Sequence, residues 1–98
     1  MSGRFREMRG LRDRFIRAVY DLRDPNTGRV MAGAIMQRMG FDPENPDDER
    51  RYAEVARYFD EIGYVRGDAG GYGSVSMSAL GIKYVEVEDD LHGEEGRA

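Results

Sequence analysis

Cysteine and tryptophan are absent from the 98 residues, histidine and lysine occur once each, and proline three times. Without cysteine there is no disulfide, no thiolate metal site and no cysteine nucleophile, and a cytoplasmic location is the default expectation. A lone His92 leaves histidine-based catalysis or a histidine metal site without partners. No apolar run approaches the roughly 20 residues that span a bilayer. The opening Met1-Ser-Gly-Arg4 leads into charged residues rather than an apolar signal core, so neither secretion nor membrane anchoring is expected.

Apolar residues make up 40% of the chain and charged residues 35%, which suits one compact core of ordinary domain size. We divide it into a flexible lead (1–6), a folded domain (7–88) and an acidic disordered tail or linker (89–98). The net charge of −4 is unevenly spread. Residues 1–40 hold nine arginines against four carboxylates, residues 41–66 four arginines against eight, and residues 67–98 two bases against seven. The basic front admits nucleic-acid contact, while a pI near 5.0 lies far below the values above about 9 that mark an evident nucleic-acid binder. Arginine forks suit phosphate or carboxylate. The coding bias of a GC-rich genome accounts for the arginine excess equally well.

Apolar periodicity organises the chain. Met8, Leu11, Phe15, Ala18, Val19 and Leu22 share one face of a helix over 7–23, with arginines 6, 9, 12, 14, 17 and 23 on its other sides. Asp24-Pro-Asn-Thr-Gly28 is a turn. Arg29-Val-Met31 fits a very short strand, and Ala32 to Met39 a short helix closed by Gly40. After the two prolines of Phe41-Asp-Pro-Glu-Asn-Pro46, a third helix starts at Asp47-Asp-Glu49, carboxylates that favour a helix N-terminus. Its core face carries Tyr52, Val55, Ala56, Phe59 and Ile62, and Gly63 ends it. The period then changes to that of two strands, 64–66 and 73–78, around a glycine-rich tip. Leu80, Tyr84 and Val87 give a fourth helix packing back on the core, with Gly81 its weak point.

An α+β fold follows, in the order helix, short strand, helix, turn, longer helix, hairpin, helix. The junction Tyr58-Phe-Asp-Glu-Ile-Gly-Tyr-Val65 and the later spacing Ser78, Gly81, Tyr84 resemble the end of the recognition helix and the wing with its following helix in prokaryotic winged helix-turn-helix regulators. The resemblance covers residues 8 to 88. It implies a three-helix core, a two- or three-stranded wing hairpin and a C-terminal helix. It also implies that the third helix enters the major groove of duplex DNA while the wing reaches neighbouring phosphate.

On that basis the candidate nucleic-acid-binding residues are Arg50, Arg51, Arg57 and Tyr58 on helix 3, with Arg66 and Tyr72 on the wing. The same helix also reads as a solvated surface laced by Arg50 with Glu54 and Arg57 with Glu61, at i,i+4 spacing. Asp47, Asp48 and Glu49 at its start oppose DNA and suit capping. Backbone amides of Gly70 and Gly71 are further phosphate candidates. Asp24 to Gly28 opens like a calcium loop, but the glutamate needed at the twelfth position is Ile35, and Gly70-Gly-Tyr-Gly73 lacks the Lys-Ser/Thr of a phosphate loop. The expectation is a transcription regulator rather than an enzyme, without cofactor or metal, acting on DNA as a homodimer because one helix reads few bases. The alternative is a winged-helix docking module for a protein partner.

Overall fold

The structure, a computed structural model, describes the backbone of residues 2–68 and 71–97 and the side chains of 7–68 and 71–88. The side chains of the acidic stretch 89–98, His92 among them, and the amide of Gly70 lie outside what is described. Seven elements follow in chain order: α1 (Ser2–Leu22), β1 (Arg29–Met31), α2 (Ala32–Arg38), α3 (Pro46–Glu61), β2 (Val65–Asp68), β3 (Gly71–Met77) and α4 (Ala79–Arg97). Their order and type match the expected α+β arrangement. Helix α1 begins before the expected Glu7, and α4 runs past Val87, the last residue that periodicity gives it; neither added stretch contains proline to stop it.

The three strands form one antiparallel sheet in the order β1-β3-β2. Val30 pairs with Val75, and both are buried against the helices. Their neighbours in register alternate outward, so the sheet has one dry and one wet face. The core draws on every helix: Leu11, Phe15, Ile16, Ala18 and Val19 from α1, Ile35 and Met36 from α2, Tyr52, Val55, Ala56 and Phe59 from α3, and Val85 from α4. An aromatic ladder runs through it. Phe15 stacks on Phe59 at 5.5 Å between centroids, Phe59 on Tyr64 at 6.0 Å, and Tyr64 meets Tyr84 at 5.0 Å.

Helix ends explain the punctuation. Asn45 caps α3, its Oδ1 accepting from the amides of Asp47 and Asp48, so Pro46 belongs to the first turn, where its missing N–H costs nothing. At the other end Gly63 takes φ of +85°, its amide donates to the Asp60 carbonyl and that of Tyr64 to the Phe59 carbonyl. That is a Schellman closure with its apolar contact supplied by the Phe59 and Tyr64 rings. Ile62 is drawn out of the core in the process, 41% exposed where periodicity puts it inside, because it is the capping residue and no longer follows the helical face.

Helix α4 also differs in facing. Leu80 and Val87 are exposed, while Gly81 and Val85 are buried. A Cβ on Gly81 would overlap the Tyr64 carbonyl oxygen, so it is the glycine that lets α4 cross the α3–β2 junction this closely. The Ser78 hydroxyl accepts from the Gly81 amide at 3.1 Å and lies 2.6 Å from the Gly63 carbonyl, to which it donates. Ser78, Gly81 and Tyr84 thus form a latch between the end of α3 and the start of α4.

Candidate nucleic-acid interface

At 100° per residue, the burial of Tyr52, Val55, Ala56 and Phe59 fixes which side of α3 meets water. Arg50, Glu54, Arg57 and Glu61 lie opposite them and are exposed. The six candidate residues do not gather on that face. Arg50 and Arg57 are on it. Arg51 lies on the flank toward α1, where it pairs with Glu7 at 3.3 Å. Tyr58 is on the same flank, half-buried, with its ring against Phe59 and the Arg12 guanidinium 3.8 Å from its centroid. Tyr72 belongs to the opposite flank, where its hydroxyl donates to Asp60 at 3.0 Å and its carbonyl accepts from the Tyr52 hydroxyl at 2.7 Å. Arg66 is exposed on β2.

The expected i,i+4 lacing of α3 is replaced by a different pair. Arg50 reaches back to Asp47 at 3.0 Å, an i,i+3 contact in the first turn, where the carboxylate also sits over the free amides. Both side chains are about three-quarters exposed, so the pair adds at most a few tenths of a kcal/mol. Arg57 forms no ion pair among the described residues; its charge acts on the Tyr72 phenol, whose pKa it lowers slightly against the larger raising causes. Burial, followed by the hydrogen bond to Asp60, raises the Tyr72 pKa. Burial likewise pushes Tyr52 well above the ordinary tyrosine range. Both phenols are therefore neutral donors at neutral pH.

Arg29 and Arg12, which periodicity assigns to ordinary positions, take on other places. Arg29 on β1 and Arg66 on β2 both pair with Ser76 of β3, so the three side chains stand in a row across the wet face of the sheet. Arg29 also approaches Asp68 at 3.4 Å. Residues 37 apart meet only through the strand between them, and no local signal in the sequence announces it. The other is Arg12. It belongs to the presumed solvated side of α1, yet its Nε is shut off from solvent without a hydrogen-bond partner among the described residues.

The rest of the basic front is largely engaged inside the fold. Arg14 donates to the Met39 carbonyl at the end of α2, Arg17 pairs with Asp13, Arg23 covers the Tyr20 ring, and Arg38 approaches Asp21. Of these four, only Arg17 and Arg38 meet a carboxylate among the described residues; Arg14 and Arg23 keep an uncompensated charge. Among the described residues no group of three or more metal-ligating side chains converges, and no helix is long and apolar enough to cross a membrane. Comparison with protein-family models, with curated proteins and with solved structures finds no match.

Proposed function

We propose that this chain is a winged-helix regulator that binds duplex DNA, with α3 laid in the major groove and the β2–β3 hairpin against flanking phosphate. One placement supports the reading: the water-facing side of α3 carries Arg50 and Arg57, and the hairpin that follows adds Arg66 beside Arg29 across Ser76. Arg50 and Arg57 are then the readers of base edges or phosphates, and Arg66 with Arg29 the phosphate clamp of the wing. Arg51 and Tyr58, turned toward α1, position α3 rather than touch DNA. Tyr72 braces the wing on α3 through Asp60. A pair of copies presenting two α3 helices to successive turns of the groove completes the reading.

Docking of a protein partner is a second reading, favoured by one observation. Asp47, Glu54 and Glu61 share the outer side of α3 with its two arginines, which leaves that surface with one more negative than positive charge.

Titrating a fluorescent mixed-sequence duplex at several salt concentrations separates the two. For the DNA reading, binding at about 50 mM salt weakens steeply as salt rises, with log K falling about 0.9 per phosphate neutralised for each unit of log salt. The double substitution Arg57→Ala, Arg66→Ala lowers the slope by about 2 and leaves thermal stability near that of the parent. No binding at about 50 mM salt removes the DNA reading and leaves protein docking.

A further inference from the structure

A groove separate from the outer side of α3 opens between α1, the C-terminal end of α3 and the start of α4. Its volume is about 740 Å³, and Arg12, Tyr58, Ile62, Tyr64, Tyr84 and Glu88 are among its lining residues. That size lies within the range of small-molecule sites, roughly 300–1,000 Å³.

The charges in and around it are unequal in their commitments. Asp13 pairs with Arg17 at 3.0 Å, and Arg9, Arg17 and Glu88 each have partners of their own. Arg12 differs. Its guanidinium carbon lies 3.8 Å from the Tyr58 centroid, its Nε is shut off from solvent without an acceptor, and no carboxylate among the described residues pairs with it. The two Nη groups of this half-buried guanidinium are not shut off in the same way and still present a planar fork suited to a carboxylate or phosphate. Beside it stand Tyr64 and Tyr84, tilted 40° to each other at 5.0 Å, and the exposed Ile62. Three arginines against Asp13 and Glu88 leave the lining with one positive charge in excess.

We propose that this groove binds a small anion bearing a planar ring, its acidic group forked by Arg12 and its ring laid against Tyr64, Tyr84 and Ile62. The site is independent of the DNA reading, because none of these residues lies on the outer side of α3. An aromatic carboxylate and a nucleoside monophosphate share this chemistry, and the choice of probes separates them.

The test is an amide and arginine-side-chain NMR titration of the full chain. The ring anions are benzoate and adenosine 5′-monophosphate; acetate and inorganic phosphate supply charge without a ring, and benzamide a ring without charge. At least one ring anion is expected to saturate with Kd at or below about 1 mM, moving the Arg12 Nε–H and the amides of Ile62 and Tyr84. The three controls bind at least about tenfold more weakly, a difference of about 1.4 kcal/mol. Arg12→Gln weakens the ring anion by about tenfold or more, and Arg12→Lys, which keeps the charge and loses the fork, weakens it less. The parent-like amide spectrum of either variant shows that the fold is intact, and one such variant suffices. The proposal is overturned if neither ring anion saturates by about 10 mM, if any of the three controls binds as well, or if the folded variants bind like the parent.

Discussion

Gly81 is the residue whose substitution divides two opposing effects most clearly. Within a helix interior, alanine is preferred over glycine by about 1 kcal/mol, which is the upper limit of what Gly81→Ala gains from propensity in the first turn of α4. Its Cβ, however, would overlap the Tyr64 carbonyl oxygen, which already accepts from the Ser78 amide at 2.9 Å and is held at the α3–β2 junction. Overpacking against fixed backbone costs about 1–3 kcal/mol, and here the obstacle is not the end of a flexible side chain. The cost exceeds the gain. Gly81→Ala is expected to lower Tm by several degrees in a calorimetric scan, at roughly 4–8 °C per kcal/mol for a domain of this size. A rise in Tm would mean that α4 does not approach the junction this closely.

Among the elements, the turn from α1 to β1 links sequence to stability through a single carboxylate. The Asp24 Oδ1 accepts from the amides of Asn26 at 2.7 Å and Thr27 at 3.0 Å, and its backbone closes the loop to Gly28 and Arg29. Those amides, that of Thr27 above all, favour the ionised form and hold the Asp24 pKa below its ordinary value of 3.8. A lowered folded-state pKa stabilises the fold above the unfolded value, and this stabilisation is lost as pH falls through the folded one. Asp24→Ala is therefore expected to melt below the parent at neutral pH, with the gap in Tm closing as pH is lowered from about 5 toward 2. A gap that stays constant across that range would assign the effect to something other than the carboxylate. Helix α3 carries a similar device in Asn45, whose cap orders its first turn. The first-turn carboxylates thus have a helix-stabilising role that does not depend on DNA.

At the scale of the whole molecule, the aromatic ladder joins α1, α3, the junction and α4 into one unit. Phe59 is its centre, in contact with Phe15, Tyr58 and Tyr64. Truncating a buried phenylalanine typically costs about 3–5 kcal/mol, against a total stability of about 5–15 kcal/mol for a domain. Phe59→Ala should shift the urea unfolding midpoint far downward with little change in slope; an unchanged midpoint would place Phe59 outside the core. The charge of the front half is partly offset within the fold: among the described residues Arg17 and Arg38 pair with Asp13 and Asp21, while Arg14 and Arg23 keep their charge on a carbonyl and a ring.

Much of the fold is legible in the sequence, because apolar spacing and turn residues are local properties. The period of 3.6 in Leu11, Phe15, Ala18 and Val19, the stop at Gly63 and the short strand at Arg29 are fixed by backbone sterics and by which side chains leave water. Periodicity fails where a capping geometry or a close crossing overrides it, at Ile62 and on α4, where Gly81 and Val85 rather than Leu80 and Val87 face inward. The candidate site was less legible. Sequence alone determined that Arg50 and Arg57 share the outer side of α3, since helical spacing suffices for that. Only the tertiary structure decided that Arg51 and Tyr58 turn to α1, that Arg29 stands beside Arg66, and that Arg12 lines a groove. Those are contacts between distant segments, set by how helices cross and strands register, and no local pattern of residue types encodes them.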